Sequence, residues 1–186
     1  MKYFLGFLAV VAVGILVIVL LTSGGGNGSQ VPGEEKINLS EYADTQTSVR
    51  LTTQGEIEAK EEHREIRITI GRTRRNVEIL RGYDAEVIKS QPFDNSQSAY
   101  AEFLEALQKA GFANERASSL ESEDGVCPTG RRYIYEVLDN SEQVLRLWST
   151  SCSGKQGTLA GNASLVRRLF EAQIPDYNDV TSGVRL

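Results

Sequence analysis

The sequence predicts an α+β domain, a mainly antiparallel sheet with two amphipathic helices packed on one face, held outside a membrane by an N-terminal transmembrane helix. Three observations lead there. A run of nineteen uncharged residues, Tyr3 to Leu21, opens the 186-residue chain. Short stretches of alternating apolar and polar residues follow, separated by turn sequences. Two further segments carry apolar residues at helical spacing, each preceded by a capping residue.

The opening run, YFLGFLAVVAVGILVIVLL, has only the Tyr3 hydroxyl as a polar side-chain group. At about 1.5 Å of rise per residue it matches the roughly 30 Å hydrocarbon core of a bilayer. A helix there satisfies its own backbone hydrogen bonds, so valine and isoleucine cost little. The competing reading is a cleaved secretory signal, whose apolar part is usually about 7 to 15 residues long. Thr22-Ser23-Gly24 is only a passable cleavage sequence, and no cysteine follows the run closely enough for a lipid anchor. Lys2 and the terminal amine precede the run, whereas Glu34, Glu35 and Lys36 are the first charges after it. Positive-inside asymmetry therefore keeps residues 1–21 as a cytoplasmic tip and signal-anchor and exports the rest.

Residues 22–48 are rich in Gly, Ser, Asn, Gln and acids, the composition of a flexible tether. Residues 49–186 are one domain's worth of chain. Val49 to Thr53 alternates weakly and predicts a first strand. Glu65 to Ile70 alternates cleanly, placing Ile66, Ile68 and Ile70 on one face. Arg72-Thr73-Arg74-Arg75 is expected to turn the chain so that Val77 and Ile79 return opposite Ile70 and Ile68. Glu86 to Ser90 predicts another strand, ended by Pro92.

Asn95 or Ser96 then caps a helix with Tyr100, Phe103, Leu104 and Leu107 at i, i+3, i+4, i+7, stopped by Gly111. An acidic, irregular stretch (113–125) leads to a hairpin in which Tyr133–Leu138 and Val144–Ser149 flank a two-residue turn at Asn140-Ser141. A second helix is capped near Asn162 or Ser164, with Leu165, Val166, Leu169 and Phe170 as its buried stripe and Pro175 beyond its end.

Cys127 and Cys152 are the only cysteines. No C-x-x-C pair and no nearby histidine suggests a metal. The hairpin register brings the two thiols to the open end of the ladder, within reach of a disulfide. A bond there belongs to an oxidising compartment, in agreement with the exported orientation.

The chain offers candidates for chemistry of unequal strength. His63, the one histidine, lies in the charged run Lys60-Glu-Glu-His-Arg64 and is expected in a solvated turn without a nucleophile beside it. No catalytic motif accompanies it, so no catalytic residue and no cofactor are assigned. Glu121, Glu123 and Asp124 lack the ligand periodicity of a calcium loop, and no metal is expected. Residues 64–81 carry six arginines against Glu65 and Glu78, a local charge of +4 in a chain whose net charge is −5. Arg72, Arg74 and Arg75 at the turn, together with Lys155 in the glycine-rich stretch Gly154–Gly161, are candidate anion-binding residues. The acidic chain as a whole argues against general nucleic-acid binding.

With paired residue numbers summing to 281, Tyr133 faces Trp148 and Tyr135 faces Arg146. Tyr133, Tyr135, Arg146 and Trp148 then form one surface of types enriched at binding hot spots, unless the loop 113–126 covers it. The expected protein is a single-pass, membrane-anchored extracytoplasmic domain with a non-catalytic binding or assembly role at the cell envelope. Its expected partners are the membrane through residues 3–21, and another envelope protein or an anionic envelope polymer. Binding of an anionic polymer or lipid through the arginine hairpin is the first alternative, and an envelope enzyme without a visible motif the second.

Overall fold

The computed structural model describes residues 37–44, 46–154 and 156–186. The apolar run 3–21, residues 22–36 of the predicted tether and Lys155 lie outside the described residues. Among the described residues, no helix is long and apolar enough to cross a membrane.

Six strands form one antiparallel sheet: β1 (Thr47–Gln54), β2 (Arg64–Gly71), β3 (Arg74–Arg81), β4 (Glu86–Asp94), β5 (Arg132–Asp139) and β6 (Glu142–Thr150). Their spatial order is β4-β3-β2-β1-β5-β6. Three helices complete the α+β fold: α1 (Gln97–Ala110), α2 (Ala163–Glu171) and the single turn α3 (Tyr177–Val180). Strands β1 to β4 form a meander; α1 then returns the chain to β5, which pairs with the other edge of β1.

Alternation along the strands sends one set of side chains into the core. Val49 and Leu51 of β1 lie opposite Ile70 and Ile68 of β2 and opposite Val137 and Tyr135 of β5. All six are at most 1% exposed. Phe103, Leu104 and Leu107 of α1 and Val166 and Phe170 of α2 close over them in one apolar cluster. The Phe103 and Phe112 rings meet Phe170 at 5.2 and 5.8 Å, and Phe112 meets Tyr135 edge-on. Each such side chain, fully withdrawn from water, contributes about 1.5 to 3 kcal/mol before conformational entropy is charged. Tyr100 is completely buried and donates its hydroxyl to the Thr47 carbonyl at 2.9 Å, which ties α1 to the start of β1.

The caps follow the sequence. Ser96 Oγ accepts the Ala99 N–H, Gly111 closes α1 at φ +78°, and Asn162 Oδ1 accepts the Leu165 N–H at 3.0 Å. On α2 only Val166 and Phe170 are fully buried; Leu165 and Leu169 are half-buried at the edge of the core. Strand β4 continues through Pro92, which an edge strand tolerates because the missing N–H faces no neighbour.

Three expectations are corrected. Residues 37–44 do not belong to a free tether: Asn38 caps a 3₁₀ turn (Leu39–Tyr42), Leu39 is fully buried, and its N–H donates to Gln108 Oε1 at 2.9 Å. Polar composition hid this anchor, beside which Ile37, Tyr42 and Ala43 also pack against the core. The β2–β3 turn is Arg72-Thr73 alone, so Val77 opposes Ile68 and Ile79 opposes Ile66. That slide of two residues leaves every side chain on its expected face.

The β5–β6 register has larger consequences. Asn140 and Ser141 form the expected two-residue turn, both at positive φ. Beyond it a bulge leaves Val144 without a partner, so Val137 pairs with Leu145, Tyr135 with Leu147 and Ile134 with Trp148. A one-residue slip exchanges the faces of a strand. Tyr133 and Tyr135 therefore point into the helix-covered core, while Arg146 and Trp148 lie on the opposite face.

The cysteines are bonded at the open end of this hairpin, with Cα atoms 5.7 Å apart. Replacing both by serine is expected to lower stability by about 3 to 4 kcal/mol, the chain-entropy value for a loop of this size. Urea unfolding of the oxidised wild type and the double variant checks it.

Candidate functional site: the open face of the sheet

The face turned away from α1 and α2 is polar, because the residues between the core positions on three adjacent strands are polar. One row runs across all six strands: Pro92, Asn76, Thr69, Arg50, Glu136 and Arg146. Beside it lies the row Ser90, Glu78, Arg67, Thr52, Ile134 and Trp148. Charges alternate across these rows. Arg50 pairs with Glu136 at 3.7 Å, Arg67 with Glu78 at 3.8 Å, and Arg146 with Glu123.

Glu123 comes from the loop between α1 and β5, which the Cys127–Cys152 bond fixes at its far end. Its carboxylate is almost fully buried and takes a second hydrogen bond from Arg146 Nη1 at 3.0 Å. The bond to Glu123 raises the Arg146 pKa. Trp148 beside it is 2% exposed. The segment 156–160 runs along this edge: Leu159 N–H donates to the Trp148 carbonyl, and Thr158 Oγ1 accepts the Trp148 N–H. A Cβ on Gly157 would lie 2.2 Å from the Trp148 carbonyl oxygen and 2.6 Å from its ring, so only glycine fits that approach.

Further along the face, a buried polar network fills the row of Gln54, Glu65 and Arg132. Arg132 donates Nε to Gln54 Oε1 at 3.0 Å and Nη2 to the Gly55 carbonyl at 2.6 Å. Gln54 Nε2 donates to Glu65 Oε1 at 3.1 Å. His63 is 1% exposed and not in a solvated turn. Its Nδ1 sits 2.9 Å from the Glu56 carbonyl, which can only accept, so that nitrogen carries a proton. Its Nε2 lies 3.3 Å from Glu65 Oε1, and Tyr83 stacks on the ring at 4.3 Å. Burial lowers the Arg132 pKa, partly offset by Tyr83 and Glu65. The network holds the 55–63 loop against the sheet.

At the opposite end of the face, a cleft of about 400 Å³ opens where β1 begins and β2 turns into β3. Arg50, Arg72 and Arg74 line it, against one acid, Glu78. Ser48, Thr69, Thr73, Asn76 and Gln46 supply hydroxyl and amide groups.

The candidate residues from the sequence thus separate. Arg72 and Arg74 come together at the cleft. Arg75 points to the other face, where its guanidinium donates to the carbonyls of Asp94 and Gln173. Lys155 is outside the described residues, and the glycine-rich stretch around it is spent on the β6 edge. Tyr133, Tyr135, Arg146 and Trp148 do not share a face, and only Arg146 among them is exposed. Tyr133 instead accepts a bond from Arg167 at 3.1 Å, and burial pushes the Tyr135 hydroxyl up to about 12. Among the described residues no group of three or more metal-ligating side chains converges. Arg50, Ser48, Thr69 and Asn76 escaped the sequence reading; their only signal was polar alternation opposite the isoleucine stripe.

No protein-family model matches the chain, and no curated protein matches its sequence.

Two substitutions test the construction of this face. Gly157→Ala is expected to cost about 1 to 3 kcal/mol through overpacking against Trp148, with a changed tryptophan emission spectrum as the local readout. Glu65→Ala removes the acceptor of the Gln54 amide and the carboxylate beside His63 and Arg132, and is expected to cost about 3 kcal/mol in denaturant unfolding.

Proposed function

We propose that this chain is a membrane-tethered domain displayed outside the cell membrane, and that it works by non-catalytic binding through the open face of its sheet. One observation carries the reading. The helices cover the core side of the central strands, whereas the other face keeps a polar cleft where β1 begins and β2 turns into β3. A cleft with a few convergent polar groups on a rigid sheet is the default place for a ligand. Compartment enters through the Cys127–Cys152 bond, which persists outside reducing cytosol, and through the apolar run 3–21, long enough to span a bilayer. Both ring nitrogens of His63 are engaged and the ring is enclosed, which favours binding over acid–base chemistry at that pair.

The test is made in cells producing the full chain. A photo-reactive amino acid at position 73, on the cleft rim, is expected to give a discrete cross-linked product. The same residue at position 98, exposed on α1, is expected to give none. A membrane-impermeant thiol reagent is expected to label Cys127 and Cys152 in intact cells only after reduction. Equal cross-linking from both positions would reject the binding face, and labelling only after lysis would reject the compartment.

A further inference from the structure

We infer that the ligand of the open-face cleft is a phosphate-bearing molecule, gripped by Arg50, Arg72 and Arg74. This rests on the binding-face reading above and gives that face a ligand chemistry.

The charge count is the first argument. Of the four charged groups in the cleft, three are arginines, and the one acid, Glu78, is already answered by Arg67. Arg72 spends one Nη1 bond on the Asp44 carbonyl at 3.2 Å, and neither Arg72 nor Arg74 has an ion-pair partner among the described residues. Arg50 leans on Glu136 at 3.7 Å, a distance too long for a direct hydrogen bond. Desolvation lowers the Arg50 pKa more than Glu136 restores it, and Arg67 adds repulsion. A bound anion would supply the missing compensation.

Position is the second argument. Charged residues on turns and strand ends serve to discourage sheet-to-sheet association, which would account for Arg72 on the turn and Arg74 at the head of β3. It does not account for Arg50, which stands on a central strand with β2 on one side and β5 on the other. A cation held there lines the same cleft as Arg72 of the turn and Arg74 at the head of β3.

Donor number points the same way. Guanidinium forks suit carboxylate and phosphate alike. Here three forks are joined by the hydroxyls of Ser48, Thr69 and Thr73 and the amides of Asn76 and Gln46. Thr69 Oγ1 accepts from Arg50 Nε at 3.4 Å, which leaves its own proton to donate outward. So many donors match the several terminal oxygens of a phosphoryl group better than the two of a carboxylate. A cleft of about 400 Å³ also leaves room for an organic group attached to the phosphate.

A lipid headgroup and a soluble phosphate ester share this chemistry, and one experiment separates them. The full chain is placed in phosphatidylcholine nanodiscs and titrated at constant ionic strength with inorganic phosphate, glycerol 3-phosphate and acetate, following the amide resonances of Gly71 and Thr73. Saturable shifts with the phosphates and not with acetate are expected. Arg50→Gln and Arg74→Gln are each expected to weaken binding at least tenfold, while Lys109→Gln on the far side of α1 changes nothing. The same shifts in phosphatidylglycerol nanodiscs, without added phosphate and lost in Arg74→Gln, would identify the headgroup as the source. Shifts only with added glycerol 3-phosphate would identify a soluble ester. Silence to all phosphates, acetate binding as tightly, or unchanged affinity in both arginine variants would overturn the assignment. A cross-link from position 73 alongside such silence would leave the binding face standing and remove only its phosphate.

Discussion

Strand β1 is where the two halves of this molecule are decided. It is paired on both edges, with β2 on one side and β5 on the other, so its alternation is imposed on the whole sheet. Val49 and Leu51 enter the core, and Arg50 and Thr52 are thereby committed to the opposite face. Because the period is two residues, a shift of one would bury Arg50 beneath α1 and expose the core residues. The apolar cost of that exchange locks the register, and the register in turn sets Arg50 beside Thr69 and Glu136. The polar face is thus a by-product of the core's demand for the other set of side chains.

The covers over that face are assembled from segments far apart in sequence. The loop between α1 and β5 is tied down by the disulfide and by Glu123 on Arg146, and the segment 156–160 lies along β6 against Trp148. The 55–63 loop is held by Glu65, Gln54, Arg132 and His63, and its Ile57 N–H reaches the Pro128 carbonyl in the disulfide loop. Burying this many polar groups is tolerable because most of them answer one another; Arg132 Nη1 and Trp148 Nε1 are the buried donors here without a partner among the described residues. Where these covers end, near the Arg72-Thr73 turn, the sheet remains accessible and the cleft appears. Its lining comes mainly from paired strands and one two-residue turn, so little ordering entropy is lost when a ligand arrives.

Much of the secondary structure was legible in the chain. The isoleucine alternation of β2, the i, i+3, i+4, i+7 stripe of α1, the Gly111 stop and the Asn140-Ser141 turn are local signals, and each predicts local geometry. The candidate site was legible only in part. Arg72 and Arg74 were visible as a charge cluster, but Arg75, adjacent in sequence, belongs to the other face. The proposed aromatic surface failed for one physical reason: the bulge at Val144 cannot be seen in the alternation, and it reverses which face Trp148 and Arg146 occupy relative to Tyr133 and Tyr135. His63 looked solvated because its sequence neighbours are charged, yet its actual neighbours are Glu65, the Glu56 carbonyl and Tyr83.

By itself the sequence determined the things that depend on neighbours along the chain: an apolar run long enough for a bilayer, the strand and helix periods, the caps and turns, and the single possible cysteine pair. Tertiary structure decided what depends on neighbours across the sheet. Strand order brought Arg50 to Arg72 and Arg74, a bulge chose the face of Trp148, and Leu39 was drawn into the core from a segment that reads as linker. Side-chain alternation says that two faces exist; only pairing through space says which residues share one.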